Sequence, residues 1–138
     1  MATIKSYTDI EQSKKLARIL PLESADMHYS KDFDGSWFVD LAKYTSVKIP
    51  KYVDNVEEHL LPCWSLAALL SVLPFHLIVN NQRYEFGIVK GFDRNGETYA
   101  IKYAVWNTTF YFHLTDYYNS LVDACMAMIE KLHELKML

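Results

Sequence analysis

An α+β fold is predicted for this chain of 138 residues, and three observations predict it. From Arg83 to Leu114, apolar and polar residues alternate in three segments separated by turn residues, the period-two pattern of strands with one buried face. Both ends of the chain carry apolar residues at helical spacing, and a proline-bounded apolar segment lies between them. The expected architecture is a three-stranded antiparallel meander covered by N-terminal, central and C-terminal helices, with an N-terminal hairpin as a candidate extension. It is expected to occupy residues 1–138 as a single domain, long enough to bury a core without disulfides or metal.

The first helix is signalled by Thr8 and Glu11, a capping box in which each side chain satisfies a backbone donor of the opening turn. Ile10, Leu16, Ala17, Ile19 and Leu20 then gather on one side, and Pro21 ends the segment. Met27 to Lys31 and Ser36 to Leu41 read as short strands around Asp34-Gly35. Ile49 to Leu61, with Pro50 and the acidic residues Asp54, Glu57 and Glu58, reads as a surface connection or a short helical turn. Pro62 opens a run from Cys63 to Leu73 that Pro74 closes, which predicts a central helix with Pro62 at its first position. That run is apolar nearly all round, so it should be covered on most sides.

In the meander, Tyr84, Phe86, Ile88 and Phe92 are expected on the buried face of the first strand, and Asp93-Arg94-Asn95-Gly96 closes the hairpin. Tyr99, Ile101, Tyr103 and Val105 belong to the second strand, and Phe110, Phe112 and Leu114 to the third. Trp106, Tyr111 and His113 fall on the opposite face. Asn119 or Ser120 caps the last helix, whose stripe is Leu121, Cys125, Met128, Leu132 and Leu135.

Three stretches resemble a family of small uncharacterised bacterial proteins from gut anaerobes, often associated with prophages or mobile elements. They are Tyr7 to Ala17, Pro62 to Leu70, and Val122 to His133. The family has no assigned activity, so the resemblance implies a bacterial, cytoplasmic, mobile-element setting and no site residues.

Composition narrows the function classes. Fourteen Lys and Arg against 17 Asp and Glu give a net charge of -3, with no run of like charge. That disfavours nucleic acid and anionic membranes, where cationic contacts carry much of the affinity. Met1 to Tyr7 is short and polar, and the longest apolar run, Trp64 to Leu73, is interrupted by two serines, so no membrane segment is expected. Cys63 and Cys125 read as reduced thiols. Phosphate-cradling loops, nucleophile elbows and zinc-protease motifs do not occur, and no cofactor or metal is expected.

Three candidate sites remain. Cys63, in the expected first turn of a helix, would have its thiolate favoured by the helix N-terminus. Cys63-Trp64-Ser65 there resembles the nucleophile segment of papain-like cysteine peptidases, which implies His76 or His113 as base, oriented by Asn107 or Asp116. Against this, no glycine precedes Cys63, no glutamine lies shortly upstream, and a free cysteine beside Trp64 is ordinarily core. His59 with Cys63, or Glu130 with His133, has metal-ligand spacing, but neither has the further ligands a site requires. The aromatic strands offer a nucleic-acid platform in principle, although most of their rings are expected under helices. What remains is a non-catalytic protein-interaction or regulatory module. Trp37, Phe38, Tyr44, Tyr52 and Trp106 are more large aromatics than the core pattern needs, and Trp37 and Trp106 are the candidate contacts. An edge strand of the meander is also a candidate for homodimer pairing.

Overall fold

The structure, a computed structural model, describes residues 4–47 and 56–138. The expected connection around Pro50 and Asp54, and the aromatic Tyr52, lie outside the described residues. The α+β class holds: helices accompany two antiparallel sheets. The chain divides into two compact units, Ser6–Ala68 and Leu69–Leu138, the second also taking in Lys5.

In the unit Ser6–Ala68, helix α1 spans Ile10–Ala17. Its capping box is formed by Asp9 and Gln12, one residue beyond the expected Thr8 and Glu11. The Gln12 N–H donates to Asp9 Oδ1 at 2.8 Å, and the Asp9 N–H to Gln12 Oε1 at 3.1 Å. Thr8 is displaced from that role because its hydroxyl is engaged by Cys63, Ser13 and Trp64. Strands β1 (Met27–Lys31) and β2 (Trp37–Asp40) form the expected hairpin, with Gly35 at φ +85° in its turn.

That hairpin does not extend the meander. It pairs instead with β3, Leu60–Cys63, which follows a helical turn α2 at Val56–His59, giving the order β2-β1-β3. Pro62 and Cys63 are therefore strand residues, and the helix expected to open at Pro62 begins at Leu66, as α3 (Leu66–Val72). Ser65 sets that start. Its Oγ accepts the Ala68 N–H at 3.1 Å, an N-cap bond, while its own N–H donates to Asp26 Oδ1 at 2.9 Å. Pro62 sits on an edge strand, where a missing N–H is tolerated. The core of this unit is Met27, Tyr29, Leu61 and Cys63, with Tyr7, Ile10, Trp37 and Val39 packed against it.

The second unit is built on four antiparallel strands in chain order: β4 (His76–Val79), β5 (Gln82–Asp93), β6 (Gly96–Ala104) and β7 (Tyr111–Leu114). The meander thus has one strand more than expected. The β4–β5 turn is Asn80-Asn81 with φ of 51° and 65°, the double left-handed geometry of a type I′ turn, which asparagine adopts more readily than other side chains.

Helix α4, Leu121–Glu134, lies against β6. Ser120 caps it, its Oγ accepting the Asp123 N–H at 3.2 Å, and Lys5 pairs with Asp123 in the first turn at 2.8 Å. Cys125, Met128 and Leu132 of the expected stripe are buried, with Val122 and Ile129 beside them and Ile101 and Tyr103 of β6, whereas Leu121 is half-buried and Leu135, past the end of the helix, is exposed. No helix among the described residues is long and apolar enough to cross a membrane.

The sheet face is less completely covered than the alternation implied. Ile88 and Phe92 are exposed on the β5–β6 hairpin, which runs on to a turn at Arg94-Asn95, and Phe110 is exposed beside the β6–β7 turn. His113 moves the other way. A bulge where β7 meets Tyr103 and Ala104 sets His113 opposite Tyr103, on the face beneath α4, whereas unbroken alternation would place it on the far side.

Candidate functional site

Cys63 ends β3 with no solvent exposure. Its sulfur meets Thr8 twice: the thiol donates to the Thr8 carbonyl at 3.6 Å, and the Thr8 hydroxyl lies 3.7 Å from Sγ. The Thr8 carbonyl also accepts the Tyr29 hydroxyl at 2.7 Å. Thr8 Oγ1 is 2.8 Å from Ser13 Oγ and accepts the Trp64 N–H at 3.2 Å, while the Thr8 N–H donates to the Trp64 carbonyl at 2.9 Å. One arrangement of protons satisfies the whole set, with Ser13 donating to Thr8, Thr8 to sulfur, and sulfur to the carbonyl.

This environment favours a neutral thiol. Burial pushes the Cys63 pKa up, and the hydrogen bonds from Thr8, Ser13 and Tyr29 only partly oppose it. Tyr29 is pushed up as well, by burial first and the neighbouring Cys63 second. The helix N-terminus expected to activate the sulfur is absent from Cys63, because α3 starts three residues later. A nucleophilic thiolate needs access and a base in reach, and Cys63 has neither among its polar contacts.

The candidate bases belong to the other unit and to opposite edges of its sheet. His76 opens β4 and stands across from Glu85, on the face away from α4. His113 on β7 lies on the α4 face. Partial burial holds its imidazole below the usual histidine range, Lys131 adds to that, and Asp116 and Glu134 pull the other way. Asp116 thus acts on His113 through its charge, and charge alone does not orient a ring. Asn107 instead occupies the β6–β7 turn at φ +55°. Cys125, the second thiol, is pushed up to about 12 by burial under α4. Glu130 and His133 are exposed on α4, and among the described residues no three His, Cys, Asp or Glu gather to hold a metal.

The two interaction candidates separate. Trp37 is half-buried against the core of its unit, with the Lys31 ammonium 5.6 Å from its ring centroid, so it serves the sheet. Trp106 is 80% exposed on the β6–β7 turn, which the Val105 N–H closes by donating to the Phe110 carbonyl at 2.9 Å. Phe110, 65% exposed, and Tyr111 follow it. Beside Trp106 runs an open groove of about 500 Å³, lined by Glu85, Phe86, Lys102 and the turn residues. Glu85 is held by Arg83 at 2.7 Å. Lys102 lays its stem over Gly87, where a Cβ would come within 3.0 Å of its Cε. Trp106 was visible to the sequence as a surplus aromatic. Alternation placed Tyr111 on the uncovered face with Trp106, where it is exposed, but assigned Phe110 to the covered one.

The described residues define an α+β chain with two antiparallel sheets. No family model, curated protein or solved structure matches it.

Proposed function

We propose that this chain is a non-catalytic, cytoplasmic protein-interaction module, in the bacterial mobile-element setting its sequence resembles, and that it engages its partner through the β6–β7 turn. The observation that carries this reading is the exposure of Trp106 with Phe110 and Tyr111 on one closed turn beside a groove. Large aromatics turned outward are costly in water and are enriched where binding energy concentrates. The partner is expected to offer an apolar side chain to Trp106 and polar groups to Lys102 and the turn threonines. The neutral, enclosed state of Cys63 supports a packing role for that residue, and hence the absence of hydrolysis.

The test compares tagged wild-type and Trp106→Ala chains, matched for folding by circular dichroism, for proteins retained from a bacterial lysate. A partner held by the wild type and weakened on the order of tenfold or more by the variant supports the reading. An unchanged set of retained proteins contradicts it. So does ester or peptide turnover that Cys63→Ala abolishes.

A further inference from the structure

The four-stranded sheet has two edges, and they differ. β7 is bulged where it meets β6, a device that disfavours continuation of a sheet. β4 is regular, and Phe75-His76-Leu77-Ile78-Val79 contains no proline, lysine or carboxylate. Phe75 is 85% exposed and Ile78 64%. Such a strand is a template for further pairing.

The direction of its free backbone groups follows from the ladder. The Phe86 N–H donates to the Phe75 carbonyl at 3.1 Å, so Phe75 and Phe86 form a hydrogen-bonded pair. In an antiparallel ladder these pairs alternate with pairs whose polar groups point outward. Leu77 and Val79 therefore bond to β5, while the N–H and C=O groups of His76 and Ile78 face the edge, on which no strand lies among the described residues.

We infer that β4 pairs antiparallel with β4 of a second copy of this chain, about a two-fold axis through Leu77. In that register, His76 of one copy exchanges two hydrogen bonds with Ile78 of the other, and the symmetric pair does the same. All four outward residues are satisfied by four bonds, the self-complementary arrangement a two-fold interface demands. Shifting the axis toward the chain start brings in Pro74, which has no N–H. Shifting it the other way brings in Asn80, already in the turn. No charged side chain opposes another across the strand pair. The result is one eight-stranded sheet across two copies, formed by a strand that the Trp106 turn does not touch.

Cross-linking reads the register directly. His76→Cys and Ile78→Cys chains are prepared separately, then oxidised alone and as a mixture. Paired residues sit about 5.5 Å apart, within disulfide reach, whereas like positions of the two copies lie beyond about 7 Å. A cross-linked dimer only in the mixture is expected; no cross-link, or equal cross-linking unmixed, overturns the inference. Sedimentation of the wild type should show mass rising with concentration from 16.1 kDa toward twice that value. Ile78→Lys and Ile78→Pro should both remain at the monomer mass, while Trp106→Ala dimerises as the wild type does. A wild type that stays monomeric at millimolar concentration, or a dimer indifferent to both Ile78 variants, refutes it.

Discussion

The side chain of Thr8 meets three groups from two places in its unit: the Trp64 N–H and the Cys63 sulfur at the end of β3, and the Ser13 hydroxyl one turn into α1. Its carbonyl receives Tyr29 from β1. Thr8 thus joins the start of α1 to β1 and to the end of β3 by hydrogen bonds in a site without water access, where an unmatched donor is expensive. Thr8→Val keeps the shape and removes the acceptor, leaving the buried Trp64 N–H without its side-chain partner. It should lower stability by about 1–3 kcal/mol, seen as a reduced urea midpoint at unchanged slope. Ser13→Ala should cost less, because Thr8 retains its sulfur and backbone contacts. Equal losses from the two variants would mean that Thr8 contributes packing alone. The same network encloses Cys63, whose neighbours in sequence resemble a nucleophile segment. Beside Trp64 the thiol is a small core group, and sequence spacing cannot distinguish a strand end from a helix start three residues away.

At the level of elements, α4 closes with a Schellman arrangement. The Met137 N–H donates to the Leu132 carbonyl at 2.8 Å, and the Lys136 N–H to the His133 carbonyl at 3.0 Å. The residue between helix and tail must then be left-handed, and it is Lys136, at φ +59°. A side chain there costs about 1 kcal/mol relative to glycine. Lys136→Gly should therefore raise the thermal midpoint by several degrees, whereas Lys136→Ala should not. A fall in the midpoint with glycine would mean that the lysine side chain itself holds the terminus. The body of α4 was largely legible in the sequence, since Cys125, Met128 and Leu132 of the expected stripe are buried, although Leu121 is only half-buried and Leu135 is exposed. The end was not, for lack of a glycine. β4 was hidden for a related reason: its turn is Asn80-Asn81, and a four-residue strand between Pro74 and two asparagines has too little length to show a period. The Pro62 helix start was misread because proline also suits an edge strand, and only the pairing with β1 decides between the two. The position of His113 depended on a bulge, which shifts one strand by a residue without leaving a compositional mark.

Across the whole molecule, each compact unit buries a tyrosine and a thiol close together: Tyr29 with Cys63 in one, Tyr103 with Cys125 in the other. All four groups have their pKa values raised in the folded state, chiefly by desolvation of the anion that ionisation would create. For such groups the folded state holds its proton longer than the unfolded state. Their contribution to stability is therefore fully present below the ordinary thiol and phenol range and is lost as pH rises through it. Cys125 sets a window, from its reference value of 9.0 to about 12. The urea midpoint should thus be insensitive to these groups at neutral pH and fall steadily above about pH 9. The buried tyrosines should ionise only as their unit unfolds, so tyrosinate absorbance and loss of helical circular dichroism should coincide for that fraction of the signal. Cys125→Ala should lower the neutral-pH plateau by on the order of 1 kcal/mol through the small cavity it leaves, and yet flatten the alkaline descent. Because Cys63 and Tyr29 lie in the other unit, a second descent should persist in that variant. If instead all ten tyrosines titrate smoothly near their ordinary range while the circular dichroism stays folded, the desolvation of both tyrosine–thiol pairs is refuted.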